Sequence, residues 1–299
     1  MPRELSLFSA DDSACSPAEG DTSEGASLTE RPTGVFIAAD SVYKEYPGAV
    51  EIEYEKALAL FALARRAGFV MPEPLALDLE RCAITYAREE SDGLVRDHYL
   101  VALRGGSASA LEVIERVGRD LAIIHRDLRL ESSTTWVPTV PFVDALHRLG
   151  WRTATRDIPR LPTAFLHCDY GWSNIHYRRE VGGTTLIVYD ASPDGMSTFA
   201  ADQVGPVYVD LGSFMSCLEG RIPGQEYLRL SWKKLPVVKE AFVRGYEDVS
   251  GTEVDRRVLA RFSYGIAACY FHWHHGAGRM RRIHEAILFN RLKGNWPIA

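Results

Sequence analysis

No stretch of the 299-residue chain approaches the roughly 18 uninterrupted apolar residues that a membrane helix needs. The N-terminus also lacks a basic segment followed by an apolar one, so neither a membrane anchor nor an export signal is expected. Cysteine is sparse. Cys15, Cys82, Cys168, Cys217 and Cys269 are odd in number and far apart, with no Cys-x-x-Cys spacing. That argues against a disulfide framework and a zinc site and fits a reducing cytoplasm. Strong charge of one sign is missing from the body as well. Of the net charge of −6, residues 1–32 supply −5 through Glu4, Asp11, Asp12, Glu19, Asp21, Glu24 and Glu30 against Arg3 and Arg31. The remainder is nearly neutral, which leaves no basic surface for nucleic acid. No internal repeat is present, and no low-complexity run follows residue 32.

What is present is a chain of 46% hydrophobic content, enough for one large core or two modest ones. Residues 1–32 have almost no bulky apolar side chains and cannot offset their own chain entropy by burial, so a disordered acidic tail is expected there. Order should begin at Gly34–Ala38, a strand that turns through Ala39-Asp40 into Ser41–Tyr46 as an antiparallel hairpin. Glu51 to Gly68 is nearly all helix formers, with an apolar stretch at Ala57–Ala64 and Gly68 as C-terminal cap; it should pack on the hairpin. Leu75–Leu79 and Cys82–Ala87 read as two further strands, and Arg88–Gly93 as a connector. Beyond it the pattern is mainly helical, with Ala110, Ile114, Val117, Leu121 and Ile124 at helical spacing and further helical patterns at 236–248 and 254–293. The expected division is a small sheet-plus-helix N-lobe at 33–92 and a helical C-lobe at 93–299, an α+β fold.

The segment that carries chemistry is Leu166-His167-Cys168-Asp169-Tyr170-Gly171-Trp172-Ser173-Asn174-Ile175. Apolar residues run into an Asp, and an Asn follows five positions later, before another strand. Phosphoryl transfer needs a carboxylate to orient the acceptor hydroxyl and take its proton, and an amide oxygen for Mg²⁺. A tight loop bearing both meets that need. The strand Leu186–Tyr189 then ends in Asp190, with Gly182-Gly183 as the turn before it, and a carboxylate there can reach the same metal as Asn174.

His-Cys-Asp-x-x-x-x-Asn followed by an Ile-Val-Tyr-Asp strand resembles the His-Gly-Asp-x-x-x-x-Asn and Ile-Asp pair of the aminoglycoside phosphotransferase and choline kinase family. The resemblance implies a bilobal protein-kinase-like fold with ATP and Mg²⁺ bound between the lobes. It implies Asp169 as catalytic base, Asn174 and Asp190 as Mg²⁺ ligands, and Lys44 as the lysine that touches the nucleotide phosphates. Glu55 on the next helix would pair with Lys44, with Glu53 as the competing carboxylate. Asp210, in Val209-Asp210-Leu211-Gly212, resembles a later motif that braces the catalytic loop. The sequence departs from the family in having Cys168 where Gly is usual and in lacking a Gly-rich loop before Lys44.

His125-Arg126-Asp127-Leu128 spells a protein-kinase catalytic signature, but Ser132 stands where the Asn should be, so an ordinary helix end is expected. A Cys168–His167 nucleophile is disfavoured because adjacent residues point apart. His272, His274 and His275 lack carboxylate company and read as packing or pocket wall rather than a metal site. The resulting expectation is an ATP-dependent phosphotransferase acting on a hydroxylated small molecule. A nucleotide-binding pseudokinase, or a protein or lipid kinase on the same fold, are the alternatives. Arg279, Arg281, Arg282, Arg291 and Lys293 against Glu285 favour a neutral or anionic acceptor over a polycationic one.

Overall fold

The computed structural model describes residues 34–105, 108–220 and 231–275. The acidic segment 1–32 and the basic residues at 279–293 lie outside them. The chain opens as a four-stranded antiparallel sheet in the order β1-β2-β4-β3: β1 Val35–Ile37, β2 Ser41–Glu45, β3 Pro74–Asp78 and β4 Ala83–Ala87. Lys44 sits on an inner strand, between Val35 of β1 and Ile84 of β4.

Helix α1 (Val50–Ala67) buries Lys56, Ala57, Leu60, Leu63 and Ala64, a stripe at the spacing of a 3.6-residue helix, and turns Leu58 to solvent. It ends where expected. Gly68, at φ +84°, donates its N–H to the Ala64 carbonyl, closing the last turn in the left-handed conformation that suits glycine. The helix packs on β3 and β4, with Val50 against Tyr46 and Ile84, rather than chiefly on the β1–β2 hairpin. The chain leaving α1 is then stitched to a second sheet: Val70 donates to Leu186 O and accepts from Val188 N, both at 2.9 Å.

That second sheet is β5 (Gly93–Leu94), β8 (Ile175–Glu180) and β9 (Gly183–Val188); a third holds β6 (Thr134–Thr135), β10 (Gln203–Pro206) and β7 (Thr163–Phe165). The β8–β9 turn is Val181-Gly182, Gly183 having already joined β9 opposite Glu180. Around the sheets stand α2 (Val95–Leu103), α3 (Ala108–Asp127), α4 (Val140–Arg148), a short α5 (Ala154–Asp157), α6 (Tyr208–Gly220), α7 (Leu235–Ser250) and α8 (Arg256–His275). The expected α3 stripe, Ala110, Ile114, Val117, Leu121 and Ile124, is buried throughout. α3 and α7 cross backbone to backbone. A Cβ on Gly118 would lie 2.0 Å from Phe242 O, and one on Gly245 1.9 Å from Glu115 O, so only glycine fits at either point. No described helix is long and apolar enough to cross a membrane.

Candidate active site

β7 delivers the chain to the loop that carries Asp169 and Asn174. Leu166 N still pairs with Gln203 O at 2.9 Å, after which the N–H groups of His167 and Cys168 leave the sheet and donate to the Asp210 carboxylate at 2.6 and 3.1 Å. Asp210, fully buried at the start of α6, also accepts from His125 Nε2 at 2.9 Å, and His125 Nδ1 in turn lies 3.0 Å from the Tyr246 hydroxyl. With Nε2–H turned to the carboxylate, a neutral His125 accepts from Tyr246 at Nδ1. Burial works to raise the Asp210 carboxyl, but the bonds from His125 and the His167 N–H outweigh it and hold the group below the usual carboxylate range.

The loop turns sharply at Cys168, at φ +83°, a conformation that costs a non-glycine residue about 1–2 kcal/mol. Beyond it Gly171 N returns to Asp169 O at 2.9 Å and Asn174 N to Gly171 O at 3.0 Å. Asn174 Nδ2 donates to the Asp169 side chain at 2.7 Å and to its carbonyl at 3.0 Å. Asn174 is therefore fixed to Asp169 before β8 begins. At the other end of the β8–β9 ladder, Tyr189 N donates to Asn174 O at 2.8 Å, so Asp190 emerges beside Asn174.

Lys44 Nζ pairs with Asp190 Oδ1 and lies 3.3 Å from Ser192 Oγ. Crowding around Asp190 works to raise its carboxyl; the Lys44 charge and the Ser192 hydroxyl prevail, and the group is held below its ordinary range although 37% of the side chain is exposed. The structure thus brings together Asp169, Asn174, Asp190 and Lys44. Glu55 stays apart from them. Its Oε1 accepts from the Glu131 N–H at 2.6 Å, on the connection after α3, and the expected Lys44–Glu55 pair is corrected accordingly. The carboxylate on α1 that faces Lys44, Asp190 and Ser192 is Glu53. Two residues along a helix subtend roughly 200°, so the two glutamates look to nearly opposite sides. Burial pushes the Glu53 carboxyl up to about 7 against the pull of Lys56 and Lys44.

The donor set suits Mg²⁺. Among the described residues no three His, Cys, Asp or Glu side chains cluster, but Mg²⁺ needs only one or two protein oxygens when phosphates and water supply the rest. With its Nδ2 committed to Asp169, Asn174 presents an Oδ1 that accepts no hydrogen bond among the described residues, and the Asp190 carboxylate reaches solvent.

The other motifs fall elsewhere. Asp127 closes α3 in an exposed pair with its neighbour Arg126, while His125 of the same string is the Asp210 brace. The His167 ring packs edge-on to Tyr170 with neither nitrogen hydrogen-bonded among the described residues, and burial drives its pKa down to about 3, so it stays neutral. The Cys168 thiol is pushed up to about 12 by burial and offers no nucleophile. Of the histidine cluster, His272 packs edge-on against Trp273 in α8. Lys56 also went unassigned in the sequence. It is buried in α1 and donates from Nζ to His167 O at 2.9 Å and to Cys168 Sγ at 3.3 Å. The signal existed: Lys56 lies four residues before Leu60 on the buried stripe, and His125 four after Leu121.

A sheet-plus-helix N-terminal layer that carries a lysine and a helical carboxylate, followed by a helical layer that carries an Asp-to-Asn loop and a strand-end Asp, is the bilobal kinase-like fold, of class α+β. The sequence matches no protein-family model and no curated relative. Solved structures with the same fold include a choline/ethanolamine kinase family protein from Mesorhizobium loti, at TM-score 0.53 and 15% identity over 90% of this chain and 87% of that one. A microcompartment-associated aminopropanol kinase matches at TM-score 0.52 and 12% identity, covering 87% and 90%. The GDP complex of an aminoglycoside phosphotransferase matches at TM-score 0.51 and 10% identity, covering 89% of each chain. At such identities the shared property is the fold.

Proposed function

We propose that the protein transfers the γ-phosphoryl group of ATP, bound with Mg²⁺, to a hydroxyl of a small molecule by direct in-line displacement. The observation that carries this reading is the bond from Asn174 Nδ2 to the Asp169 carboxylate. It joins the candidate base to a candidate metal ligand, and Asp190, paired with Lys44, emerges beside that ligand through the Tyr189 N–H bond to Asn174 O.

Asp169 orients the acceptor hydroxyl and takes its proton as the oxygen attacks. Asn174 Oδ1 and the Asp190 carboxylate would hold Mg²⁺, which when bound would neutralise charge on the transferring phosphate. Lys44, held by Asp190 and Ser192, supplies an ammonium for phosphate oxygens, and Glu53 rather than Glu55 is the α1 carboxylate whose charge it senses. Asp210, backed by His125 and Tyr246, fixes the two peptides ahead of Asp169 and takes no part in the chemistry.

A small acceptor is favoured over a protein by the segment after Asp190. It is tied back on itself, with Asp194 accepting from the N–H groups of Met196, Ser197 and Thr198 at 2.7–2.9 Å, and is no extended activation segment. The names of the structural neighbours point to amino alcohols and amino sugars, whereas the basic run at 279–293 favours a neutral or anionic metabolite such as a nucleoside or sugar. We favour the second class. Acceptor-dependent formation of ADP across a panel of amino alcohols, aminoglycosides, nucleosides and sugars tests both steps. ADP formation with no member of the panel, under conditions where the nucleotide binds, would leave a nucleotide-binding scaffold instead.

A further inference from the structure

We propose that Lys56 is a positioning residue for the reaction. Its ammonium, held on His167 O and Cys168 Sγ, keeps the left-handed turn that aims Asp169, and so makes helix α1 part of the acceptor side of the site. The inference rests on the reading of Asp169 as the group that orients the acceptor.

The polar backbone atoms of the two residues ahead of Asp169 are all engaged. Both N–H groups go to Asp210, Cys168 O accepts from Thr198 Oγ1 at 2.8 Å, and His167 O accepts from Lys56 Nζ at 2.9 Å. Asp210 and Thr198 follow the loop in the chain; Lys56 alone among these four contacts reaches it from α1. The turn it holds is one that an L-residue resists, at φ +83°, and the strained residue is itself the second partner of the ammonium, Cys168 Sγ at 3.3 Å.

Stability alone does not account for a lysine here. Lys56 is 1% exposed, and a buried ammonium is costly to desolvate, so an apolar side chain of similar length would serve packing at least as well. What an apolar side chain cannot do is pull the His167 carbonyl toward α1. Three residues earlier on the same helix, Glu53 faces Lys44 and Asp190. One rigid element therefore carries a carboxylate on the nucleotide side and an ammonium on the loop that presents Asp169. A shift of α1 on nucleotide binding would be passed to Asp169 through this bond.

The test compares Lys56→Met, Cys168→Gly and the double variant by steady-state kinetics, nucleotide titration and thermal melting. Lys56→Met should lower kcat roughly 10–100-fold, the range a misplacement near 1 Å produces, with nucleotide affinity within about threefold. Adding Cys168→Gly should recover at least roughly threefold of that loss, because glycine adopts the turn without a strap. Lys56→Gln, which keeps one N–H for His167 O, should fall between the wild type and Lys56→Met, and it carries the comparison if the Met variant does not fold. A melting-temperature loss with kcat unchanged, or a double variant no faster than Lys56→Met, would overturn the proposal. Cys168 supplies a readout that needs no turnover. Its alkylation by iodoacetamide, followed by peptide mass spectrometry, should be at least roughly tenfold faster in folded Lys56→Met than in the wild type, because opening of the buried loop outweighs the loss of the Lys56 charge, which in the wild type pulls the thiol's pKa down against burial. Unchanged alkylation would overturn the strap whether or not the wild-type chain turns over an acceptor. Faster alkylation in a chain that turns over none would locate the failure in the proposed function instead.

Discussion

Asp120 is an acid in the wrong place for an ordinary carboxylate, and replacing it should reveal how much of the protein's pH-dependent stability it controls. It lies on α3, 3% exposed, beside a cavity of about 420 Å³ that Ala67, Arg116, Ile123 and Val249 also line. Its Oδ2 has no hydrogen-bond partner among the described residues. Burial dominates, and although Arg116 and Arg119 pull the other way, the carboxyl is pushed up to about 7 from an ordinary value of 3.8. In the unfolded chain Asp120 loses its proton near pH 4; in the folded chain it keeps it until near pH 7. Between those values the folded state binds more protons, so stability falls as pH rises, at about 1.4 kcal/mol per pH unit from this group. Asp120→Asn is nearly isosteric and cannot ionise. Against the wild type it should gain on the order of 3 kcal/mol between pH 5 and pH 8, the two differing little more above pH 8. Urea unfolding of both chains at pH 5, 6, 7 and 8 measures the difference and cancels the contributions of all other groups. Parallel profiles, with a constant offset between the two chains, would refute the reasoning.

Glu53→Gln should weaken nucleotide binding roughly 3–30-fold, whereas Glu55→Ala should leave it within about threefold and instead cost about 1–2 kcal/mol of stability through the lost bond to Glu131 N; nucleotide titration with parallel unfolding separates them. Gly118→Ala should destabilise the chain by about 3 kcal/mol or more, or prevent folding, because a methyl group at the α3–α7 crossing meets the Phe242 carbonyl; a change under 1 kcal/mol in urea unfolding would show that the two helices can part. Starting the chain at Thr33 should leave turnover within about twofold, since residues 1–32 precede every motif and hold almost no bulky apolar side chains; an inactive or unfolded truncation would contradict this.

Much of the site was legible because its parts are local. The Asp169-to-Asn174 spacing, the strand ending at Asp190, Lys44 on a hairpin strand and the Gly68 cap depend on residues a few positions apart, where turn chemistry and helical or strand period decide the geometry. What escaped depends on phase or on distant partners. Glu53 and Glu55 are equally good helix glutamates, and only the rotation of α1 decides which one lies on the side of Lys44. Lys56 and His125 each occupy a core-facing helical position, but their partners, His167 and Asp210, lie 111 and 85 residues away. The same distance hid the β6-β10-β7 sheet, whose two-residue strand at Thr134 pairs with Gln203 and carries no pattern of its own. Cys168 looked like a departure from the glycine its turn prefers. The structure keeps the turn and sets Lys56 Nζ against the side chain.

The central claim is that Asp169, held by Asn174, orients the acceptor and takes its proton, and it is tested most directly by the turnover of Asp169→Asn set beside that of Asp127→Asn. With an acceptor that gives ADP in the wild type, and with each variant shown to be folded, Asp169→Asn should lose something on the order of 10²–10⁴ in kcat with nucleotide affinity nearly unchanged. Asp127→Asn should remain within about threefold of the wild type, as expected of an exposed residue whose pairing among the described residues is with its neighbour Arg126. An active Asp169→Asn beside a dead Asp127→Asn would contradict the account at its base, since the loop between β7 and β8 would then not be where the phosphoryl group is transferred.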